Sequence, residues 1–230
     1  MMEENEKVNE ENTPQGNNDG ELKKQAAETL KATKEQMKNI NFKEEAQKGK
    51  GLIRKLATKP IETIKEVVQD NKNQFYKTAL VIMIIWAALI LIKRILDFII
   101  YDYYKFDVLA TIKSVLSPIL EILAMAIIIH VLNKADNQPL TKSITAISII
   151  KIPLVISSVL GYLTYISSNI TYVTNPISSL LSVISTVLMF FVVKEIFKEE
   201  ENEKALKVFI KVEIIYYIVA FAFSFLGIYL

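Results

Sequence analysis

The sequence predicts an all-α polytopic membrane helical bundle with five transmembrane helices, preceded by a partly disordered, partly helical cytoplasmic amino-terminal segment. Three observations predict it. From Thr78 onward long runs of Ile, Leu, Val and Phe recur between short polar gaps, the composition of a membrane domain. The first 77 residues are polar by contrast. Lys and Arg, finally, concentrate on one alternate set of the flanks between the apolar runs, as they do on the cytoplasmic side of membrane proteins.

Taken in order, residues 1–21 form an acidic tail with seven acidic residues, one Lys and no apolar stretch. Ordering such a segment costs entropy that no burial offsets, so disorder is expected. No signal peptide is visible there, and the first hydrophobic span is expected to target and insert the chain. Residues 22–77 read as a cytoplasmic, interfacial helical segment. Leu22, Ala26, Leu30, Met37 and Ile40 make a thin apolar stripe at helical spacing, and Gly49 and Gly51 mark an expected break. Beyond the break Pro60 suits a helix start, where its missing amide proton costs little. Ile61, Ile64, Val68 and Phe75 would then share one face. Between Lys48 and Lys77 eight basic residues stand against three acidic ones. An apolar stripe with net positive charge beside a span fits a helix lying among anionic lipid headgroups, where each basic residue contributes about 1 kcal/mol. The same charges serve equally as a topology signal.

The membrane domain covers 78–230. A hydrocarbon core needs about 20 apolar residues per helix, and five segments qualify: 78–101, 108–132, 143–167, 175–197 and 208–230. Pro139, Thr141 and Ser143 punctuate the approach to the third, and Asn175 with Pro176 opens the fourth. If the amino terminus is cytoplasmic, fourteen Lys and Arg fall on inside flanks (Lys48 to Lys77, Lys134, Lys142, Lys194, Lys198, Lys204 and Lys207), and Lys105 is the only one in an outside loop. The expected location is a cell membrane, multi-pass, with the amino terminus cytoplasmic and the carboxyl terminus outside. Heavy use of Ile, Lys and Asn fits an AT-rich bacterial genome, hence a bacterial plasma membrane.

Ionisable groups inside spans are costly, about 3 kcal/mol for a charge at the centre, so each is a candidate for function. Depth along alternating helices matches Asp97 with Lys113, Glu121 with Lys151, and His130 with Glu213 as interhelical pairs. Lys93 and Arg94, past the middle of the first span, must snorkel or find partners, with Asp97 one turn away. Glu121 and His130 are nine residues apart on one helix, about 13 Å at 1.5 Å per residue, which would suit a proton or ion path. The competing reading is a set of pairs that fix helix register, favoured because no span repeats its acidic residues. Pro118 and Pro153 each lie within three residues of Glu121 or Lys151. A proline releases a carbonyl and can open a helix around a ligand. Ser157 with Gly161, and Ser178, Ser182 and Thr186, recur at four-residue spacing, which permits close helix packing or, alternatively, a hydroxyl-lined pore.

The exclusions are firm where counts decide them. With no cysteine and one histidine, disulfides, iron–sulfur clusters and thiolate zinc sites are ruled out, and no cofactor or metal is expected. No phosphate-binding loop, dinucleotide fingerprint, serine-hydrolase elbow or zinc-protease helix occurs, so no catalytic residues and no enzyme activity are expected. Without a nucleic-acid-binding module, the basic run points to lipid and to a protein partner at the cytoplasmic helix. Asn169-Ile170-Thr171 fits a glycosylation acceptor only in a lumenal loop of a eukaryotic host.

The stretch KPIETIKEVV before the first span, and PLTKSITAISIIKIPLVISSVLGYL across the third with its central Pro153, give the layout of residues 55–230 a resemblance to the Yip-domain family of five-span membrane proteins. These are named for members that interact with Rab-type GTPases, and the family has many bacterial relatives. The resemblance implies a noncatalytic membrane scaffold or recruiting factor. The acidic-Leu-Tyr-Gly-Pro motif of the eukaryotic members is missing, so Rab binding is not implied. The alternative function is a transporter or transporter subunit with a midplane polar site at Glu121 and Lys151.

Overall fold

The computed structural model describes residues 18–70, 72–101, 107–133 and 138–228, and among these it contains helices and no strands. The tail expected over 1–21 lies mostly outside the described residues, as do Lys105 and Lys134. Three helices precede the membrane body: α1 (Asn18–Lys38), α2 (Phe42–Thr58) and α3 (Pro60–Val68). The body comprises α4 (Tyr76–Ile100), α5 (Val108–Leu132), α6 (Leu140–Ile150), α7 (Ile152–Gly161), α8 (Thr171–Ile196) and α9 (Asn202–Ser224).

α2 runs through Gly49–Gly51, where a break was expected. Its buried residues Glu45, Gly49, Leu52 and Leu56 recur at helical spacing, and Gly49 packs toward Thr78, where an added Cβ would sit in ordinary contact at 3.8 Å, so burial of this face against α4 carries the helix through the glycines. Asn41 caps the start of α2 by accepting from the Glu44 amide. On the exposed side Lys48 bridges Glu44 and Glu45, and its ammonium holds the Glu44 carboxyl below the usual carboxylate range. Pro60 does open a helix, but α3 stops after nine residues. Thr63, Ile64, Val67 and Val68 pack onto α6 and α8, while Ile61 is exposed and Phe75 belongs to the turn before α4. The apolar face expected to lie in headgroups is therefore buried against protein, because that buries Ile64, Val67 and Val68 almost completely. Asp70 ties the α3–α4 turn, accepting from the amides of Lys72 and Phe75.

α4, α5 and α8 are long and apolar enough to cross a membrane, and the bent pair α6–α7 makes a fourth span if it crosses as one. At 1.5 Å per residue the 25 residues of α4 reach about 37 Å, beyond the ~30 Å core. Only 33% of the apolar stretch of α4 and of α5, and 28% of that of α8, is buried within the protein. The outward faces carry rows such as Ile92, Ile95 and Ile99, and Leu180, Val183 and Val187. Apolar surface this continuous is stable in hydrocarbon and not in water. The chain is thus a multi-pass membrane protein by the character of its surface. α9 is not among the qualifying helices, because Lys204, Lys207, Lys211 and Glu213 crowd its first half.

The second span runs 108–132 as expected. Two others depart from expectation. α8 starts at Thr171 and carries Pro176 inside its first turns, where few main-chain bonds are lost. The expected span 143–167 is not one helix: α6 and α7 meet at 40° around Lys151, and α7 passes into a 3-10 turn at Tyr162–Tyr165. After α9, Gly227 takes the left-handed conformation of a helix stop, with the Ile228 amide reaching back to Phe223.

Candidate functional site

The break at Lys151 has a covalent cause. Pro153 has no amide proton to give the Ile149 carbonyl, and its ring disfavours continuing helix before it, so α6 ends at Ile150 and α7 begins with the proline near its first position. The Leu154 amide, which would bond the Ile150 carbonyl in a continuous helix, donates with Val155 to the Lys151 carbonyl, and Ser185 of α8, itself buried, donates to Ile150 O at 2.9 Å in its place. Pro118 behaves differently. It sits within an uninterrupted α5, so of the two prolines only Pro153 marks a break.

α6 rises about 16 Å from Leu140, which would place Lys151 near the middle of the core if α6–α7 crosses as one span. There its ammonium pairs directly with the Glu121 carboxylate, with side chains only 11% and 18% exposed. Glu213 of α9 lies within Coulombic reach of both. Around the three is a cavity of 240 Å3, walled by Met125, Leu154, Met189, Ser182, Ser185, Thr186, Tyr216 and Tyr217. Two carboxylates and one ammonium, in a space lined by hydroxyls and two thioethers, can hold a proton or a small cation. Among the described residues no group of three His, Asp or Glu side chains is placed to ligate a metal ion.

Of the three expected pairs, the structure forms one. Glu121 meets Lys151. Asp97 instead accepts from the Tyr165 hydroxyl, and Lys113 donates to the Leu226 carbonyl at 2.8 Å. His130 contacts the Gln25 side chain of α1, and Glu213, expected beside it, is turned toward Glu121 and Lys151. Arg94 finds the Ser114 hydroxyl at 2.6 Å rather than Asp97. The partners were not separable by depth alone, since residues at one depth can face opposite ways around their helices.

Ser185, Tyr162 and Tyr165 were missed in the sequence. Ser185 falls off the four-residue series Ser178, Ser182, Thr186, and its value comes from the carbonyl opposite. The two tyrosines, on the 3-10 turn after α7, fasten to α4 through Leu89 O and Asp97. Their three-residue spacing, which puts both on one face of a 3-10 turn, was the available signal. Glu45 was missed too: a buried carboxylate that accepts from Thr78 Oγ1 at 2.6 Å and from Lys48, tying α2 to the start of α4. Comparison with protein-family models, curated proteins and solved structures finds no match to this chain.

Proposed function

We propose that this chain is a noncatalytic scaffold or recruiting factor of the Yip-domain type in a bacterial plasma membrane. It crosses the bilayer five times, with α6–α7 as one broken span and α9 as the fifth, its amino terminus inside and its carboxyl terminus outside. The observation that supports recruitment is the seating of α2 and α3 across one end of the spans, with contacts from α3 to α6 and α8 and from α2 to α4. A cytoplasmic segment fixed this way offers its opposite face at a constant orientation to a partner. Four of the eight basic residues there, Lys48, Lys55, Lys59 and Lys65, are engaged by carboxylates, which leaves Lys50, Arg54, Lys72 and Lys77 as the stronger contributors to anionic lipid. The test is site-specific photo-crosslinking in cells from exposed positions such as Lys50, Ile53 and Ile61. Capture of one recurrent protein supports the reading; lipid alone refutes it. Topology is read by single-cysteine scanning, which a cysteine-free chain permits directly. A cysteine at Glu200 labelled from outside intact cells would reverse the orientation.

The cavity at the broken span favours a second reading, a transporter or transporter subunit using Glu121, Lys151 and Glu213 on a cation or proton. Broken helices at the midplane beside buried charges are how many transporters form their sites. Glu121→Gln should then abolish a growth or uptake phenotype while the protein accumulates normally. Loss of abundance instead assigns the pair a structural role.

A further inference from the structure

The half of the bundle remote from α1–α3 holds a second polar space that neither reading above employs. α4, α5, α7 and α8 surround a cavity of 500 Å3, whose lining includes Lys93, Arg94, Asp97, Ser157, Gly161 and Ser178. The space is half open on the side of Lys93, and charges and hydroxyls lining a space within a helical membrane bundle are costly to leave against apolar chains, which favours a polar occupant.

Charge gives the sign of that occupant. Among the described residues Lys93 and Arg94, the latter also bonded to Ser114, supply two cations, and Asp97, the one carboxylate on this lining, accepts from the Tyr165 hydroxyl. A neighbouring cavity, beyond Arg94 and Ser114, adds Lys113 and Asp107 and leaves the excess of one positive charge unchanged. Lys93 lies seven residues before the end of α4, about 10 Å below it, where an uncompensated ammonium is expensive. Among the described residues the Lys93 ammonium and the Ser157 and Ser178 hydroxyls have no hydrogen-bond partner, although all three residues line the cavity; the Lys93 carbonyl alone is engaged, by the Tyr165 hydroxyl. A Cβ added at Gly161 would meet nothing within 4 Å, so this wall of α7 is open. The available donors arrive from three helices, on α4, α7 and α8. A planar carboxylate presents two oxygens in one plane, whereas a tetrahedral phosphate presents oxygens in all of these directions.

We propose that this cavity binds a phosphate group, with Lys93 and Arg94 supplying charge and Ser157 and Ser178 donating to its oxygens. The group comes from a phospholipid headgroup or from free phosphate, and the experiment separates the two. The full chain is purified in a neutral detergent and given radiolabelled inorganic phosphate in equilibrium dialysis, and separately phosphatidylglycerol, with retention read by native mass spectrometry. Binding of either probe is expected, weakened about tenfold by Lys93→Gln, the loss of one charge-assisted hydrogen bond. Gly161→Val should weaken it similarly by filling the open wall, while thermal unfolding in the same detergent stays in place. Retention of phosphatidylglycerol without phosphate binding assigns the headgroup; displacement of the lipid by phosphate assigns the free ion. Failure of both probes to bind, or binding that neither substitution alters, overturns the proposal. The site is remote from the cytoplasmic layer, so this outcome is independent of the recruitment reading.

Discussion

Among the described residues Lys151 is the sole cation lining a cavity that it shares with two carboxylates, and this makes the two halves of its ion pair unequal. Lys151→Met leaves Glu121 and Glu213 facing each other with no counter-charge, the situation in which breaking a buried pair costs about 3–5 kcal/mol. Glu121→Gln is milder. The amide keeps the shape and one acceptor, and Lys151 still has Glu213 within reach, so the loss is that of a single charged hydrogen bond, about 1.5–3 kcal/mol. The double variant Glu121→Gln, Glu213→Gln removes the substitute partner as well. Lys151 is then the uncompensated charge, and the cost returns to about 3–5 kcal/mol, more than the two single losses would suggest if Glu213→Gln alone is nearly silent. The assay is equilibrium unfolding in mixed micelles, titrated with an anionic detergent and followed by the fluorescence of the single Trp86, whose indole donates to Ser158 two turns beyond the break. The reasoning is refuted if Lys151→Met proves no more destabilising than Glu121→Gln, or if the two carboxylate substitutions add without coupling.

Further outcomes follow from single contacts and can be read in the same micelles. Ser185→Ala strips the donor from the Ile150 carbonyl at the break and should cost about 1–3 kcal/mol, while Ser182→Ala, exposed on the same helix, should stay within about 0.5 kcal/mol. Tyr165→Phe removes the hydroxyl from the Asp97 carboxylate at a cost of about 1.5–3 kcal/mol. Lys113→Met should cost less than about 1 kcal/mol; equal effects of the two would restore an Asp97–Lys113 pair. Ile64→Ala, at a position 1% exposed, should loosen α3 by about 2–5 kcal/mol and open residues 42–68 to limited proteolysis. Ile61→Ala, on the outer face, should leave the proteolysis pattern unchanged, within about 0.5 kcal/mol.

Legibility varied with the kind of information each feature needs. The α5 boundaries were readable to the residue because Asp107 and the polar residues after Leu132 bracket an unbroken apolar run, and Asp107 caps the helix by accepting from the Ala110 amide. The start of α8 was misplaced at Asn175 because an Asn-Pro pair is a start signal in sequence, yet a proline in the first turns of a helix displaces little and the helix simply begins earlier. Gly49 and Gly51 misled in the opposite direction. Glycine inside a helix lowers its intrinsic stability by about 1 kcal/mol, but burial of the Gly49 face against α4 outweighs propensity.

The polar groups divide along the same line. Composition and run length by themselves determined that this is a helical membrane protein, since a lipid-facing helix must be apolar whatever it packs against. They also ranked its buried charges by depth, because the rise per residue is constant and depth is a one-dimensional quantity. That was enough to bring Glu121 to Lys151. Which way a residue faces around its helix depends on how the helices pack, and only the tertiary structure decided it. Packing turned Glu213 toward Lys151 rather than His130, gave Asp97 to Tyr165, and set Ser185 against the Ile150 carbonyl at the break. It also closed α3 onto α6 and α8, so an apolar stripe that sequence would lend equally to lipid or to protein was buried against protein.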